Sequence, residues 1–195
     1  MKKLLVLVVS SLVASSAFAA DYTVDPDHTS VGFKVRHLGI SSVTGKFAKV
    51  SGEFSFDPKN IAAAKASAVV DAATVNTENE KRDKHLRNNE FLDVEKFPQI
   101  KFVSKEIKNV DGNEFKVLGD LTIHGVTKTV ELDAEFLGAT TDPWGNERAG
   151  FEAESKIDRR EFGLTWNKVL EAGGFLVGDE VKIVLNVEGI KKKAA

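Results

Sequence analysis

The side chains able to do chemistry in this sequence are few and scattered. There are four histidines, His28, His37, His85 and His124, and no cysteine. None of the histidines lies three to five residues from another, so no local zinc-binding spacing exists. Thiolate metal sites, cysteine nucleophiles and disulfides are excluded outright. A metal site assembled only in three dimensions stays open. No G-x-S-x-G elbow, H-E-x-x-H pair or phosphate-binding loop occurs, and periodicity isolates no pair of acids on one interior face. The expectation is a protein with no catalytic residues, no bound metal and no cofactor.

Two places carry polar groups worth following. His37 continues the apolar parity of Val31, Phe33 and Val35, which turns its ring inward near the end of a sheet, where it can bond a carbonyl or hydroxyl. A histidine satisfied by backbone or carboxylate is the plainer reading of the same position. Arg82, Asp83 and His85 form a charged trio on a predicted helix. Arg82 and Asp83 are adjacent and point apart, whereas Arg82 and His85 share a face. On that face Arg82 would meet a phosphate or carbonyl oxygen; the plainer reading is a solvated helix tied to strand ends. His124, opposite in parity to Leu121 and Ile123 and set in a turn, reads as structural.

The elements that must position these groups are strands. Val130, Leu132, Ala134 and Phe136 interleave with Glu131, Asp133 and Glu135, and Phe151, Ala153 and Ile157 interleave with Glu152, Glu154 and Lys156. Period-two alternation of this kind marks antiparallel strands with one buried face. Val181, Ile183, Leu185 and Val187 give a third such face, and Phe115, Val117, Leu121 and Ile123 a fourth, with Gly119 in phase. An in-phase glycine marks a bend or a close approach. Further strands are expected at 22–26, 30–37, 47–56, 65–73 and 98–108. Asp111-Gly112-Asn113 and His124-Gly125-Val126 supply hairpin turns between neighbours. The pattern is an all-β meander with enough strands to close an eight-stranded antiparallel barrel, a size that is either filled by side chains or holds one small ligand.

Two segments break the pattern. Thr77-Glu78-Asn79-Glu80 reads as a capping box opening a helix to about Asn89. Leu86 is its one strongly apolar residue, so the helix is expected on the surface. Asp158-Arg159-Arg160-Glu161-Phe162-Gly163 reads as a charged connection that docks Phe162 and Trp166.

The N-terminus is read as a secretory signal peptide, residues 1–19. Lys2 and Lys3 precede an apolar run from Leu4 to Val13, and Ala17-Phe18-Ala19 offers small residues at the cleavage positions. No cysteine follows the run, so a lipoprotein-type anchor cannot form. The expectation is a periplasmic, soluble mature chain, residues 20–195, forming one domain without a stable membrane anchor. The formal net charge is −2 before the two signal lysines are lost. That balance gives no attraction to nucleic acid.

Several motifs together resemble one family. Tyr22-Thr23-Val24-Asp25-Pro26-Asp27-His28-Thr29-Ser30, Val35-Arg36-His37-Leu38-Gly39, Arg82-Asp83-Lys84-His85-Leu86, Phe97-Pro98-Gln99-Ile100-Lys101-Phe102 and Gly119-Asp120-Leu121-Thr122-Ile123-His124-Gly125-Val126-Thr127 resemble the YceI-like proteins, in order and across nearly the whole mature chain. The resemblance implies a lipocalin-like barrel with a short helical insertion, whose cavity binds an extended apolar molecule. It favours a polyisoprenoid, an isoprenoid quinone or a similar lipid, and implies binding without catalysis. Phe33, Phe54, Phe102, Phe115, Phe136 and Phe151 are the candidate cavity liners, beside Val35, His37, Arg82 and His85. For any one phenylalanine, a packed core position is the plainer reading. Two other readings stay open: a lipid-acting enzyme using His37 or Asp83 as acid or base, and a stress-linked structural protein whose barrel is filled. Oligomeric state, monomer or dimer, is not set by the sequence.

Overall fold

A computed structural model describes residues 19–171 and 173–193. The segment read as a signal peptide lies outside the described residues except for Ala19. The described chain forms β1 (Ala20–Val24), β2 (Ser30–His37), β3 (Ser41–Phe47), β4 (Val50–Phe56), β5 (Lys65–Asp71), β6 (Val75–Asn76), α1 (Glu80–Arg87), β7 (Gln99–Asp111), β8 (Glu114–Ile123), β9 (Val126–Thr141), β10 (Glu147–Asp158) and β11 (Val177–Lys191).

The first six strands are three bent staves. β1 pairs with β4 while β2 pairs with β3, and β4 pairs with β5 while β3 pairs with β6. Each stave is broken where the wall turns: at Asp25–Thr29, which contains the donor-less Pro26, at Ala48–Lys49, and at the 3-10 turn Ala72–Thr74. With β7 to β11 this makes eight antiparallel staves in meander order. The wall closes because β11 pairs with β2 from Val177 to Asn186 and with β1 from Gly189 to Lys191. Closure removes the open edges that an exposed sheet would offer to other chains.

The alternation places the core as expected. Along β8, Phe115, Val117, Gly119, Leu121 and Ile123 are buried and the residues that alternate with them are not. Two clusters stop the ends of the barrel. One, around Tyr22, Phe56, Ile61, Phe115 and Phe136, lies near the chain termini. The other, around Val75, Leu92, Leu121, Ile123, Ile157 and Phe162, lies under the connections that hold α1 and residues 159–171. We refer to these as the terminal end and the helical end.

Two expectations need correction. The second stave begins at Ser41, six residues before the predicted start at 47. Its inward positions are Val43, Gly45 and Phe47, and glycine at the middle one erased the apolar period. The helix starts at Glu80 with Asn79 as its N-cap, whose side chain accepts from the Arg82 amide at 3.0 Å, so Thr77 and Glu80 do not form a capping box. Thr77 serves elsewhere: its hydroxyl and amide both donate to Asp83 Oδ1, at 2.6 and 2.8 Å. That buried carboxylate ties the helix to the end of β6.

Candidate functional site

Inside the barrel lies a cavity of about 350 Å³. It runs from Phe54, Phe56 and Phe151 near the terminal end to Leu86, Phe91 and Leu164 at the helical end. Its walls are almost entirely hydrocarbon. Among the described lining residues, Arg159 is the one buried ionisable side chain.

Why the barrel is not filled follows from cross-strand pairs. Phe33 sits directly opposite Gly45, and a methyl group placed on Gly45 would overlap the Phe33 ring. In the same way the Phe102 ring occupies the space above Gly119. Aromatic rings that cover glycines lie along the wall instead of reaching the barrel axis. Beside Phe102, β5 and its approach contribute only Ala64, Ala66 and Ala68 over three successive inward positions. Large residues that lie flat thus alternate around the wall with small ones on the paired strands.

The predicted site residues divide accordingly. Phe33, Val35, Phe54, Phe102, Phe115 and Phe151 line the cavity. Phe136 is buried behind it, packed on Phe56 and Phe151 with ring centroids 4.7 and 5.3 Å apart. His37 keeps the inward parity but lies beyond Val35, the last lining residue of β2, and faces Val177 across the ladder. Arg82 turns back on its own connection, donating from Nε to the Thr77 hydroxyl at 2.7 Å and from Nη2 to the Thr77 carbonyl at 2.8 Å. His85 packs edge-on against Phe91 and Trp166 and bonds Glu90 at 2.7 Å. Neither Arg82 nor His85 lines the cavity; their neighbours Leu86 and Phe91 do. Nothing in the sequence marked Phe91, because it lies in a turn without periodicity.

The helical end is held by Arg159. Its five N–H groups donate to the carbonyls of Gly178, Leu164, Trp166 and Val177 and to Asp179 Oδ1. Burial pushes this guanidinium down from its usual range, with Asp179 and Asp158 opposing the shift. With every donor engaged, Arg159 has no N–H left for a ligand.

A second polar cluster, unforeseen from sequence, closes the terminal end. Arg148 on β10 donates to Asp25 at 2.6 Å, to Glu188 at 2.5 Å and to Asp142 at 2.8 Å, joining β1, β11 and the turn before β10. Burial raises the Asp25 carboxyl, but bonds from Arg148, His28 and the Asp27 amide outweigh it and hold the group down to about 2. The Asp25 contact raises His28 in turn. Oxygen and nitrogen atoms of Asp25, His28 and Glu188 lie within 4.8 Å of one another. A cation there would have to displace the Arg148 guanidinium from both carboxylates, so this set fits an ion-pair clasp better than a metal centre.

Comparison with known proteins agrees with this architecture. A model of the YceI-like domain matches residues 22–189. Protein YceI of Escherichia coli O157:H7 is 43% identical over 98% of this chain and 99% of its own length. BcnA of Burkholderia cenocepacia shares the fold with a TM-score of 0.75 at 24% identity, covering 85% of this chain and 98% of its own. A polyisoprenoid binding domain from Saccharophagus degradans superposes with a TM-score of 0.64 at 16% identity, covering 90% of this chain and 99% of its own. The chain belongs to the YceI-like family.

Proposed function

We propose that this protein is a periplasmic carrier that holds an extended apolar molecule, an isoprenoid quinone or prenyl lipid, inside its barrel. The observation that carries the reading is the apolar cavity of about 350 Å³, within the range that accommodates small ligands. A barrel filled by its own side chains would leave no such space. An alkyl or prenyl tail meets mainly aromatic rings and aliphatic groups there. Burying about ten methylene equivalents yields on the order of 8 kcal/mol by transfer, enough for micromolar binding before ordering losses. The ligand class is supported by family membership and by the shared fold with a polyisoprenoid-binding domain. The periplasmic location rests on the reading of residues 1–19. Binding is favoured over turnover because the one buried ionisable group of the lining, Arg159, has all its donors engaged.

Trp166 offers a reporter, since it packs on Phe91, which lines the cavity. With Trp144→Phe it becomes the only tryptophan of the chain. Titration with a long-chain prenol should change its fluorescence saturably, at one ligand per chain. A linear, non-saturating response would refute the reading. Mass spectrometry of the prenol after long incubation should return it unchanged; a converted product would favour an enzyme.

A further inference from the structure

The helical end carries large apolar side chains that no part of the described fold covers. Ile40 is 83% exposed, Val169 77%, Phe175 55% and Leu38 39%. They belong to two turns that touch. The Leu38 amide donates to the Leu176 carbonyl at 2.9 Å, while Val169 and Phe175 face each other across a short ribbon whose Leu176 amide donates to Lys168. The ribbon prolongs β11, and Val177 at its base both pairs with His37 and lines the cavity. The tip is therefore joined directly to the cavity wall through Val177.

The turn is built at a cost to the fold. Leu38 and Gly39 have φ of 54° and 74°, and the Ile40 amide donates to the His37 carbonyl at 3.2 Å, a type I′ turn. That turn favours asparagine followed by glycine, and a branched apolar side chain in the left-handed region is strained. The strained residue does not contribute its side chain to the core either, because it is exposed. Strain kept at an exposed apolar position points to a surface outside the fold.

We infer that this tip, formed by residues 38–40, 169–171 and 173–175, docks on a lipid bilayer and passes the ligand between bilayer and cavity. The inference deepens the carrier reading and rests on it. A prenyl lipid resides in membrane, so its transfer needs contact between bilayer hydrocarbon and the cavity lining. The tip provides that contact. Arg36 and Lys168 stand at its base, with Glu171 on the ribbon and Asp179 and Glu180 in the bulge opposite Arg36, so the tip meets the bilayer through its apolar side chains and not through a net positive charge.

The test uses the mature-length protein with Ile40→Ser and Phe175→Ser together, and separately Leu38→Asn, which suits the turn and preserves folding. Flotation with ligand-free vesicles of phosphatidylethanolamine and phosphatidylglycerol measures docking with no ligand involved. The double variant should float about tenfold less than the parent, and its uptake of a fluorescent prenol from vesicles should slow by a similar factor. Its affinity for the same prenol added from ethanol should stay within about twofold. Equal flotation of parent and variant, or no flotation of the parent, overturns the docking inference while leaving the cavity reading to its own titration. A concentration-dependent dimer dispersed by the double variant, without vesicle binding, would also overturn it and assign the tip to a second copy of the chain.

Discussion

Replacing Ala68 by leucine separates a carrier from a filled barrel. Ala68 lies on β5 opposite Gly52 and Phe102, and its methyl group faces the cavity. Leucine adds three carbons to a wall that has space in front of it. Those carbons occupy volume that about three methylene equivalents of ligand would otherwise fill, at about 0.8 kcal/mol each. The expected loss is about 2.4 kcal/mol, roughly sixtyfold in affinity. Folding should not suffer, because the new side chain enters empty space. Prenol titration gives the affinity, and urea unfolding gives the stability with its slope unchanged. In a filled barrel the same substitution overpacks and costs about 1–3 kcal/mol of stability. A destabilised Ala68→Leu protein whose ligand affinity is unaltered would refute the cavity argument.

Three further outcomes follow from particular contacts. Gly119→Ala drives a methyl group into the Phe102 ring and should cost about 1–3 kcal/mol in chemical denaturation, with the displaced ring also weakening ligand binding. Leu38→Asn relieves a left-handed leucine and should stabilise the protein by about 1 kcal/mol, read as a rise in melting temperature. The clasp at the terminal end should respond to acid: the folded Asp25 carboxyl, at about 2, lies below its unfolded value, so its contribution is complete above about pH 4 and is lost as pH falls through about 2. Asp25→Asn should flatten that part of the stability profile, and an unchanged acid limb would dismiss the clasp.

What the sequence discloses is parity, and parity reaches only as far as local period. The faces around Val117, Leu132, Phe151 and Ile183 were legible because each strand alternates along its own length. The stave at Ser41–Phe47 was not, because Gly45 is small for the sake of Phe33 on the neighbouring strand, a reason that lies outside its own segment. The same holds for the cavity. Phe102 and Gly119 are on different strands, and whether a phenylalanine fills a barrel or lies along its wall is decided by that partner. The Arg148 clasp joins residues from Asp25 to Glu188, and no spacing rule connects positions so far apart. Arg82 looked available for recognition because charge and helical face are readable, while its bonds to Thr77 depend on how the chain enters the helix.

The most direct measurement is organic extraction of the protein, purified without detergent after expression of the full chain, followed by lipid mass spectrometry against a mock purification. A prenyl lipid or isoprenoid quinone recovered at close to one per chain, and lost in Ala68→Leu, is the expected result. An extract that stays empty even after incubation with prenols and quinones would contradict the claim that the barrel holds a lipid.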